Sequence, residues 1–183
     1  MNEFWNLDRI YNGFEDPAFS ADMEALRQTV AEYTAFSVEL SSKDALTGLK
    51  EGILWEEKLT QLLMKLFSYA QLRQSTNSRD AEAGSRLGQI MQLYSATAGA
   101  QAAWKEWAAG QETLMELVQS DELLREYTFL FENLKKSASH LLGSRGEEIA
   151  AKLGLSGGNA WSDLQGYLTS TVPVSYRGTT TNL

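Results

Sequence analysis

The sequence predicts an all-α protein, a bundle of long antiparallel helices with a short β-strand or hairpin at its C-terminal end. Apolar residues recur at intervals of three and four along most of the chain, which is the period of a helix buried on one face. The 183 residues include only two prolines, so few positions forbid a helix. Only the last segment changes to the alternating period of a strand.

The first helix is predicted to begin at Asp16-Pro17 and to end near Ser41. Aspartate is a favoured N-cap, and proline suits the first helical position because no backbone donor is needed there. The apolar ladder, which has Ser37 as its polar rung, consists of Phe19, Met23, Leu26, Val30, Tyr33 and Leu40. It fits either an intramolecular bundle or a coiled-coil seam, and its length of about three heptads favours the bundle.

The second helical stretch is predicted from about Lys43 to Gln74, with an irregularity near Gly48 or Gly52. The polar segment Ser-Thr-Asn-Ser-Arg-Asp, residues 75–80, ends it. A third helix follows from about residue 80 to residue 107, with an apolar ladder of Leu87, Met91, Tyr94 and Ala98. Its small residues, which include Gly84, Gly88 and Gly99, are expected to let a neighbouring helix approach closely.

The remaining chain is predicted to contain shorter helices. After an interruption at residues 108–111, a fourth stretch extends through residues 114–134. Ser144 and Glu147 have the spacing of a capping box, which predicts a short helix to about Leu153. A glycine-rich turn at residues 154–158 separates it from one more helix of about three turns. The last predicted element is a strand with alternating side chains, Val172, Val174 and Tyr176. Because a lone strand is unstable, its partner is either an unrecognised strand or lies beyond Leu183.

Charge and composition exclude several functions. The net charge is −8, which argues against a nucleic-acid-binding face, since such a face needs clustered Lys and Arg. The chain has no cysteine, so it offers neither a thiolate nucleophile nor a cysteine-based metal site. No apolar run is long enough to span a bilayer, and the first residues lack the pattern of a signal peptide. We therefore expect a cytoplasmic protein.

The sequence singles out no catalytic, metal-binding or substrate-binding residue. His140 is the single imidazole and is followed by Leu-Leu-Gly-Ser, so the His-Glu-x-x-His pattern of zinc peptidases is absent from these 183 residues. We expect His140 to be structural, near a helix C-terminus. Three pairs of adjacent acids are expected to be solvated or to lie at helix N-termini: Glu56-Glu57, Asp121-Glu122 and Glu147-Glu148. The glycine-rich segment 154–158 lacks the lysine of a phosphate loop and is interpreted as a turn.

Trp104 and Trp107 lie three residues apart, on one face of the predicted third helix. Two interpretations stay open at this point. The two indoles are either anchors of the hydrophobic core or contacts to another domain or subunit, because tryptophan is favoured at interfaces. The core interpretation is the expected one.

Three segments resemble the N-terminal helical region of the oligoendopeptidase F family, zinc metallopeptidases related to thimet oligopeptidase. Residues 5–11, Trp-Asn-Leu-Asp-Arg-Ile-Tyr, with Phe14 and residues 16–19, are similar to the family's Trp-Asp-Leu-x-x-Leu-Tyr start. Residues 130–148 resemble a helix that ends near His-x-Leu and the helix start that follows it. Residues 159–164, Asn-Ala-Trp-Ser-Asp-Leu, resemble an Ala-Trp-x-x-Leu segment before a β-hairpin.

The resemblance implies a division of the enzyme. Residues 1–171 would form the helical N-terminal domain, and residues 172–183 would lead toward a catalytic domain that this chain lacks. Zinc and the His-Glu-x-x-His helix would belong to that missing domain, and this fragment alone would be inactive. The helical region would form one wall of the peptide-binding channel and restrict substrates to short peptides. Without that domain, the exposed C-terminal segment would favour self-association of the chain.

A stand-alone helical adaptor is the alternative to this reading. Such a protein would bind a partner through an apolar groove or through the Trp104/Trp107 face. A complete enzyme ranks below both, because no nucleophile, base and oxyanion donor converge in the sequence. The reading frame downstream of Leu183 discriminates the peptidase from the adaptor.

Overall fold

The computed structural model describes residues 6–77, 79–140, 142 and 144–182. Trp5 of the opening motif lies outside these residues. The described part of the chain contains nine α-helices: α1 (Pro17–Glu39), α2 (Ala45–Thr76), α3 (Ala81–Ala96), α4 (Ala98–Ala109), α5 (Leu114–Ser120), α6 (Glu122–Glu126), α7 (Thr128–Ser137), α8 (Ser144–Gly154) and α9 (Ala160–Thr171). The strands β1 (Pro173–Tyr176) and β2 (Thr179–Asn182) follow. The predicted fold class, a helical bundle with a C-terminal hairpin, is confirmed.

Helix α1 begins where the sequence predicts. Asp16 is its N-cap and accepts a hydrogen bond from the Ala18 amide at 2.9 Å, and Pro17 is the first helical residue. The predicted ladder is buried within the chain, together with Phe36, so the intramolecular bundle is confirmed over the coiled-coil seam. A 3₁₀ turn, Leu40–Ser42, ends the helix.

Helix α2 is the longest helix, with 32 residues against 23 in α1, so the prediction that α1 would be longest is wrong. The predicted irregularity near Gly48 or Gly52 is also wrong, because α2 is continuous through both positions. These glycines serve tertiary packing. The rings of Trp107 and Trp104 occupy the space that a side chain at Gly48 or Gly52 would need.

The predicted third helix is divided at Thr97 into α3 and α4. Thr97 is buried, and its hydroxyl donates to the Tyr94 carbonyl at 2.7 Å instead of leaving that acceptor to the helix ladder. The interruption predicted at residues 108–111 is confirmed, since α4 ends at Ala109.

The predicted fourth stretch consists of three short helices, α5, α6 and α7. Asp121 produces the first division, because it has an extended backbone and accepts from the amides of Leu123 and Leu124 as the N-cap of α6. The division changes the direction of the chain and keeps Leu124, Phe131 and Leu134 in the core.

The core lies between α1, α2 and α4, and the segment before α1 closes one end of it. Tyr11 and Phe14 each pack edge to face against Phe19 and Tyr69, with ring centroids 5.1 to 5.3 Å apart. Such aromatic pairs stabilise a fold by about 0.5–1.5 kcal/mol beyond the area they bury. The residues that carry the first resemblance therefore anchor the N-terminal segment to α1 and α2.

Helix α8 begins at Ser144, as predicted. Glu147 accepts from the Leu142 amide at 3.2 Å, two residues before the amide that the predicted capping box would use, and the Ser144 side chain lies outside what the structure describes. The predicted glycine-rich turn is present as a wide helical turn, Leu155–Asn159, kinked at Gly157, where the backbone leaves the helical region.

The C-terminal strand has its partner within the same chain. β1 and β2 pair antiparallel, with Val174 opposite Thr181, around a two-residue turn at Arg177 and Gly178 in which both φ angles are positive. Of the two partners that the sequence left open, an unrecognised strand is the correct one, because β2 follows β1 directly in the same chain. β2 was missed because Thr-Thr-Thr-Asn has no apolar alternation, and the turn does not have the usual Asn-Gly pair.

Candidate functional site

A groove lies between α2 and α3, with α8 and α9 at one end. Its volume is about 890 Å³. A smaller apolar hollow of about 330 Å³ continues it along α2 and shares Phe67 and Met91 with it. We call the two together the α2–α3 groove.

The hollow at one end of the groove is apolar and adaptable. Met64 and Tyr94 are 60% and 43% exposed there, beside the half-buried Phe67 and Met91. The sequence predicted Leu87, Met91 and Tyr94 as the buried ladder of the third helix. The structure corrects this prediction, because Ala83 and Ile90 form the fully buried face of α3 and the ladder residues turn toward the groove.

The larger part of the groove has a mixed lining, in which seven of sixteen residues carry uncharged polar side chains and most of the others are apolar or glycine. Four of the lining residues carry side-chain amides: Gln71 and Gln74 of α2, Gln92 of α3 and Asn159 of the wide turn. None of these four side-chain amides has a hydrogen bond to another described residue. The charged residues of the lining are Lys152, which pairs with Glu148 of its own helix, and Asp163. The groove is therefore close to electrically neutral in a chain of net charge −8.

Gly84 and Gly88 lie on α3 where it lines the groove. A Cβ atom at Gly88 would meet nothing within 4 Å, and one at Gly84 would meet only the Gln74 amide nitrogen, at 3.5 Å. The predicted close approach of a neighbouring helix to these glycines is therefore not found. The space beside them is part of the groove.

Helix α9 and the hairpin form an arm that extends from the bundle. The described residues of α9 include no buried side chain, and its main contacts are with the wide turn before it. The arm exposes a row of large apolar side chains: Trp161, Leu164, Tyr167, Leu168, Val172 and Tyr176. A hollow of about 450 Å³ separates its inner face from the end of α2 at Gln74.

The two tryptophans singled out in the sequence are core anchors. Trp104 is 1% exposed, and its indole nitrogen donates to the Gly48 carbonyl at 3.2 Å. Trp107 is half-buried against Gly48. The core interpretation is confirmed, and the interface interpretation of the Trp104/Trp107 face is wrong.

The adjacent acids Glu56 and Glu57 make separate contacts to other helices. Glu56 accepts from the Tyr33 hydroxyl at 2.7 Å and from the Gln101 amide at 3.0 Å, and Glu57 accepts from the Tyr127 hydroxyl. Burial, together with the Glu56 carboxylate, raises the pKa of Tyr33 well above its usual range. The two carboxylates of this pair therefore act as interhelical acceptors and do not converge on a common point.

The other acidic pairs lie at helix termini or on exposed turns. Asp121 caps α6 and accepts from the Lys50 ammonium at 2.6 Å, and these hydrogen bonds, that of Lys50 first, lower the pKa of Asp121. Glu148 pairs with Lys152, one turn along α8. These placements agree with the predicted helix-terminal and solvated roles.

His140 ends a 3₁₀ turn that follows α7, and it is exposed. Its predicted position near a helix C-terminus is confirmed. Among the described residues, no three His, Cys, Asp or Glu side chains lie together as metal ligands would. None of the helices in this part of the chain is both long and apolar enough to cross a bilayer.

Sequence reasoning missed the groove because its residues carry weak signals. Gln71, Gln74 and Gln92 have neither charge nor apolar periodicity, so they read as ordinary surface positions. The available signal was the spacing of Gly84 and Gly88 one turn apart on α3, which was interpreted as a helix contact. The same spacing at Gly48 and Gly52 on α2 was interpreted as a helix irregularity.

Comparison with known proteins supports the resemblance drawn from the three segments. The family model described as oligopeptidase F, for the N-terminal region of M3 peptidases, matches residues 107–172. The oligopeptidase PepF of Bacillus subtilis strain 168 is 21% identical over 150 residues. The chain is similar to the N-terminal region of oligopeptidase F. The resemblance predicted from the sequence is thus confirmed, and the match to the oligopeptidase F model includes all of residues 130–148 and all of residues 159–164.

The alignment with PepF covers 81% of this chain and 22% of the relative, so the chain spans about a fifth of the length of the curated oligopeptidase that it matches. No solved structure matches the chain significantly. The region matched by the oligopeptidase F model extends from the end of α4 to the end of α9 and contains most of the exposed arm.

Proposed function

We propose that this chain is the non-catalytic N-terminal domain of a zinc-dependent oligoendopeptidase of the cytoplasm, in which it forms one wall of the peptide-binding channel and restricts substrates to short peptides. The observation that carries the proposal is the match of residues 107–172 to the oligopeptidase F family. The similarity to PepF, an oligopeptidase more than four times the length of the aligned region, supports it.

The exposed arm supports the proposal that a further domain packs here. Trp161 is 70% exposed and Tyr176 is 59% exposed, and large apolar side chains in a row at a surface are typical of a protein interface. Residues 172–183 would lead from this arm toward the catalytic domain. In the absence of that domain, the same surface would favour self-association of the chain.

The described residues do not fit a zinc site. Zinc in a peptidase needs three protein ligands around one point, and the exposed His140 has no second imidazole and no cluster of carboxylates beside it. The zinc ligands and the hydrolytic water would therefore be supplied by the catalytic domain. The part played by this chain is to hold and select the peptide.

The first test is the reading frame that follows Leu183 in the gene. A continuous frame that encodes His-Glu-x-x-His is the expected result, and a stop codon directly after Leu183 would overturn the proposal in favour of the stand-alone adaptor. With Trp104 buried and Trp107 packed against Gly48, the α2–α3 groove or the arm is the surface through which such an adaptor would bind its partner.

The second test uses the purified 183-residue chain. We expect no stoichiometric zinc by elemental analysis and no metal-dependent hydrolysis of a quenched fluorescent peptide. Zinc that is bound tightly and lost in the His140→Ala variant would contradict this division of roles. In the full-length polypeptide, cleavage should fall steeply as the substrate lengthens from a short peptide to a folded protein.

A further inference from the structure

We infer that the α2–α3 groove binds the main chain of an extended, uncharged oligopeptide segment of about six or seven residues. This inference deepens the proposed function and takes the peptide class from it. It adds a place on this chain that would hold the peptide, away from any zinc site.

The length of the groove fits a short extended segment. Its lining extends along α2 from Thr60 to Ser75, which are 75 − 60 = 15 residues apart. At a rise of 1.5 Å per helical residue this distance is about 22 Å. An extended chain advances about 3.3 Å per residue, so about six or seven residues span it.

The free amides of the lining match the chemistry of a peptide main chain. Each peptide unit presents one donor and one acceptor, and each Gln or Asn side chain presents both kinds of group. Gln71 and Gln74 line one wall, whereas Gln92 and Asn159 lie on other elements around the groove. An extended segment between them could pair its amides and carbonyls on both sides without any particular side-chain sequence.

The glycines of α3 provide the close approach that such a ligand needs. A glycine in a helix interior costs about 1 kcal/mol relative to alanine. Nothing in the described chain requires that cost at Gly88, because a Cβ atom there would meet no atom within 4 Å. Glycine is favoured where a ligand approaches the backbone closely, and here it leaves the floor of the groove open.

The nearly neutral lining and the apolar hollow at the Met64 end of the groove indicate which class of peptide it can bind. The described lining holds one lysine, already paired, and one aspartate, so these residues offer no free positive charge to neutralise a phosphate or a polyacid. The methionines and aromatic rings at the Met64 end can accept apolar side chains of varied shape, since methionine adapts readily to its neighbours. An uncharged segment with an apolar residue toward one end meets both conditions.

The test is an amide NMR titration of the isotope-labelled 183-residue chain with a capped heptapeptide, Ac-Ser-Ala-Ser-Ala-Ser-Leu-Ser-NH₂, whose leucine lies toward one end. At peptide concentrations up to about 5 mM, a Kd near 1 mM gives a measurable shift. We expect the Gly84 and Gly88 amide signals to move with the peptide concentration. Gly48 and Gly52 lie under the tryptophans and are the internal controls, whose signals should stay in place.

Two further ligands test whether the groove recognises the main chain of a peptide. The same heptapeptide N-methylated at alternate residues keeps its side chains and loses main-chain donors, so we expect it to bind at least about tenfold more weakly, a loss of about 1.4 kcal/mol. Maltoheptaose tests an oligosaccharide as the occupant. If the sugar moves the Gly84 and Gly88 signals and the peptide does not, the inference is overturned.

The variants locate the site. Gly88→Leu adds a side chain to the groove at a position where its Cβ meets no atom within 4 Å, and it should weaken peptide binding at least about tenfold. Ala31→Leu on the exposed face of α1 is the control and should leave binding unchanged. Gln71→Ala should weaken binding by a smaller factor.

Two outcomes overturn the inference: no shift at Gly84 and Gly88 with any peptide, or peptide binding that survives Gly88→Leu and is lost in Trp161→Ala on the arm. Neither outcome affects the proposed membership of an oligoendopeptidase, because that proposal is decided by the reading frame after Leu183.

Discussion

Helices α2 and α3 each carry two glycines one turn apart, and the structure uses the two pairs in opposite ways. Gly48 and Gly52 of α2 are buried, and a Cβ atom there would lie 2.4 Å from the ring of Trp107 and 1.9 Å from that of Trp104. Gly84 and Gly88 of α3 border an open groove. The same spacing therefore marks a filled tertiary contact in one helix and an unfilled surface in the next, and only the residues opposite distinguish them.

The largest effect on stability is expected from removing the tryptophan side chain that packs against Gly48 and Gly52. Trp104→Ala should lower the free energy of unfolding by about 3–5 kcal/mol, because it removes a fully buried indole and leaves a cavity. Urea unfolding followed by circular dichroism measures the loss. A loss below about 1 kcal/mol would mean that Trp104 is not the anchor of the α2–α4 contact.

Gly52→Ala should be destabilising by about 3 kcal/mol in the wild-type chain, because the added methyl group overlaps a buried ring that has no free space to move into. In the Trp104→Ala background the same substitution should become neutral or stabilising, since alanine is the better helix former. A double-mutant cycle measures this coupling. Additive effects of the two substitutions would show that the glycine and the indole do not share one space.

The fold was predictable from the sequence where a local rule acts alone. Asp16-Pro17 starts α1 as capping chemistry requires, and the ladder from Phe19 to Leu40 is buried as its period indicates. The glycines of α2 could not be interpreted locally, because Trp104 lies 52 residues away in sequence and reaches them only in the folded bundle. Helix propensity gives the free-energy cost of a glycine in a helix. It does not include the tertiary contact with the tryptophan that offsets this cost.

The candidate site was less predictable than the fold. Its walls come from α2, α3, the wide turn and α9, and the amides that line it obey no periodicity. The ladder of α3 was identified as apolar, but its orientation depended on which face α1 and α2 would cover. Residues such as Met91 and Tyr94, which a one-dimensional pattern places in a core, therefore lie in the groove.

Acid should lower the stability of the fold, because several ion pairs join α2 to the elements packed against it. Lys65 and Lys58 pair with Asp22 and Glu32 of α1, and Lys50 pairs with the cap residue Asp121. Hydrogen bonds to Glu32 and Asp121 lower the pKa values of these carboxyls. Burial would raise the pKa of Asp22, but hydrogen bonds from Lys65 and Tyr11 outweigh it, so that pKa is lowered as well.

A carboxyl whose pKa is lower in the folded state contributes stability above its unfolded pKa, and that stability is lost as the pH falls through the folded pKa. We therefore expect the urea midpoint to fall as the pH is lowered from about 5 to about 3. Relief of repulsion in a chain of net charge −8 opposes this loss and makes it smaller than the effects above.

Asp121→Asn is the matched variant for the pH experiment. It keeps a capping side chain at α6 and removes the charge opposite Lys50, so the fall in midpoint with acid should be shallower than in the wild type. A midpoint that rises between pH 5 and pH 3 would show that charge repulsion outweighs these ion pairs.

The smallest effect on stability is expected at Gly84 and Gly88, where alanine should be stabilising instead of destabilising. Gly88→Ala should raise the free energy of unfolding by about 0.5–1 kcal/mol, because alanine gains helix propensity and its methyl group meets no atom. Gly84→Ala should gain slightly less, since its methyl group would contact the Gln74 amide nitrogen at 3.5 Å. Urea unfolding at neutral pH measures both. A loss of stability in Gly88→Ala would mean that the folded chain itself needs glycine at this position. The low helix propensity of Gly88 would then be no evidence for a bound ligand.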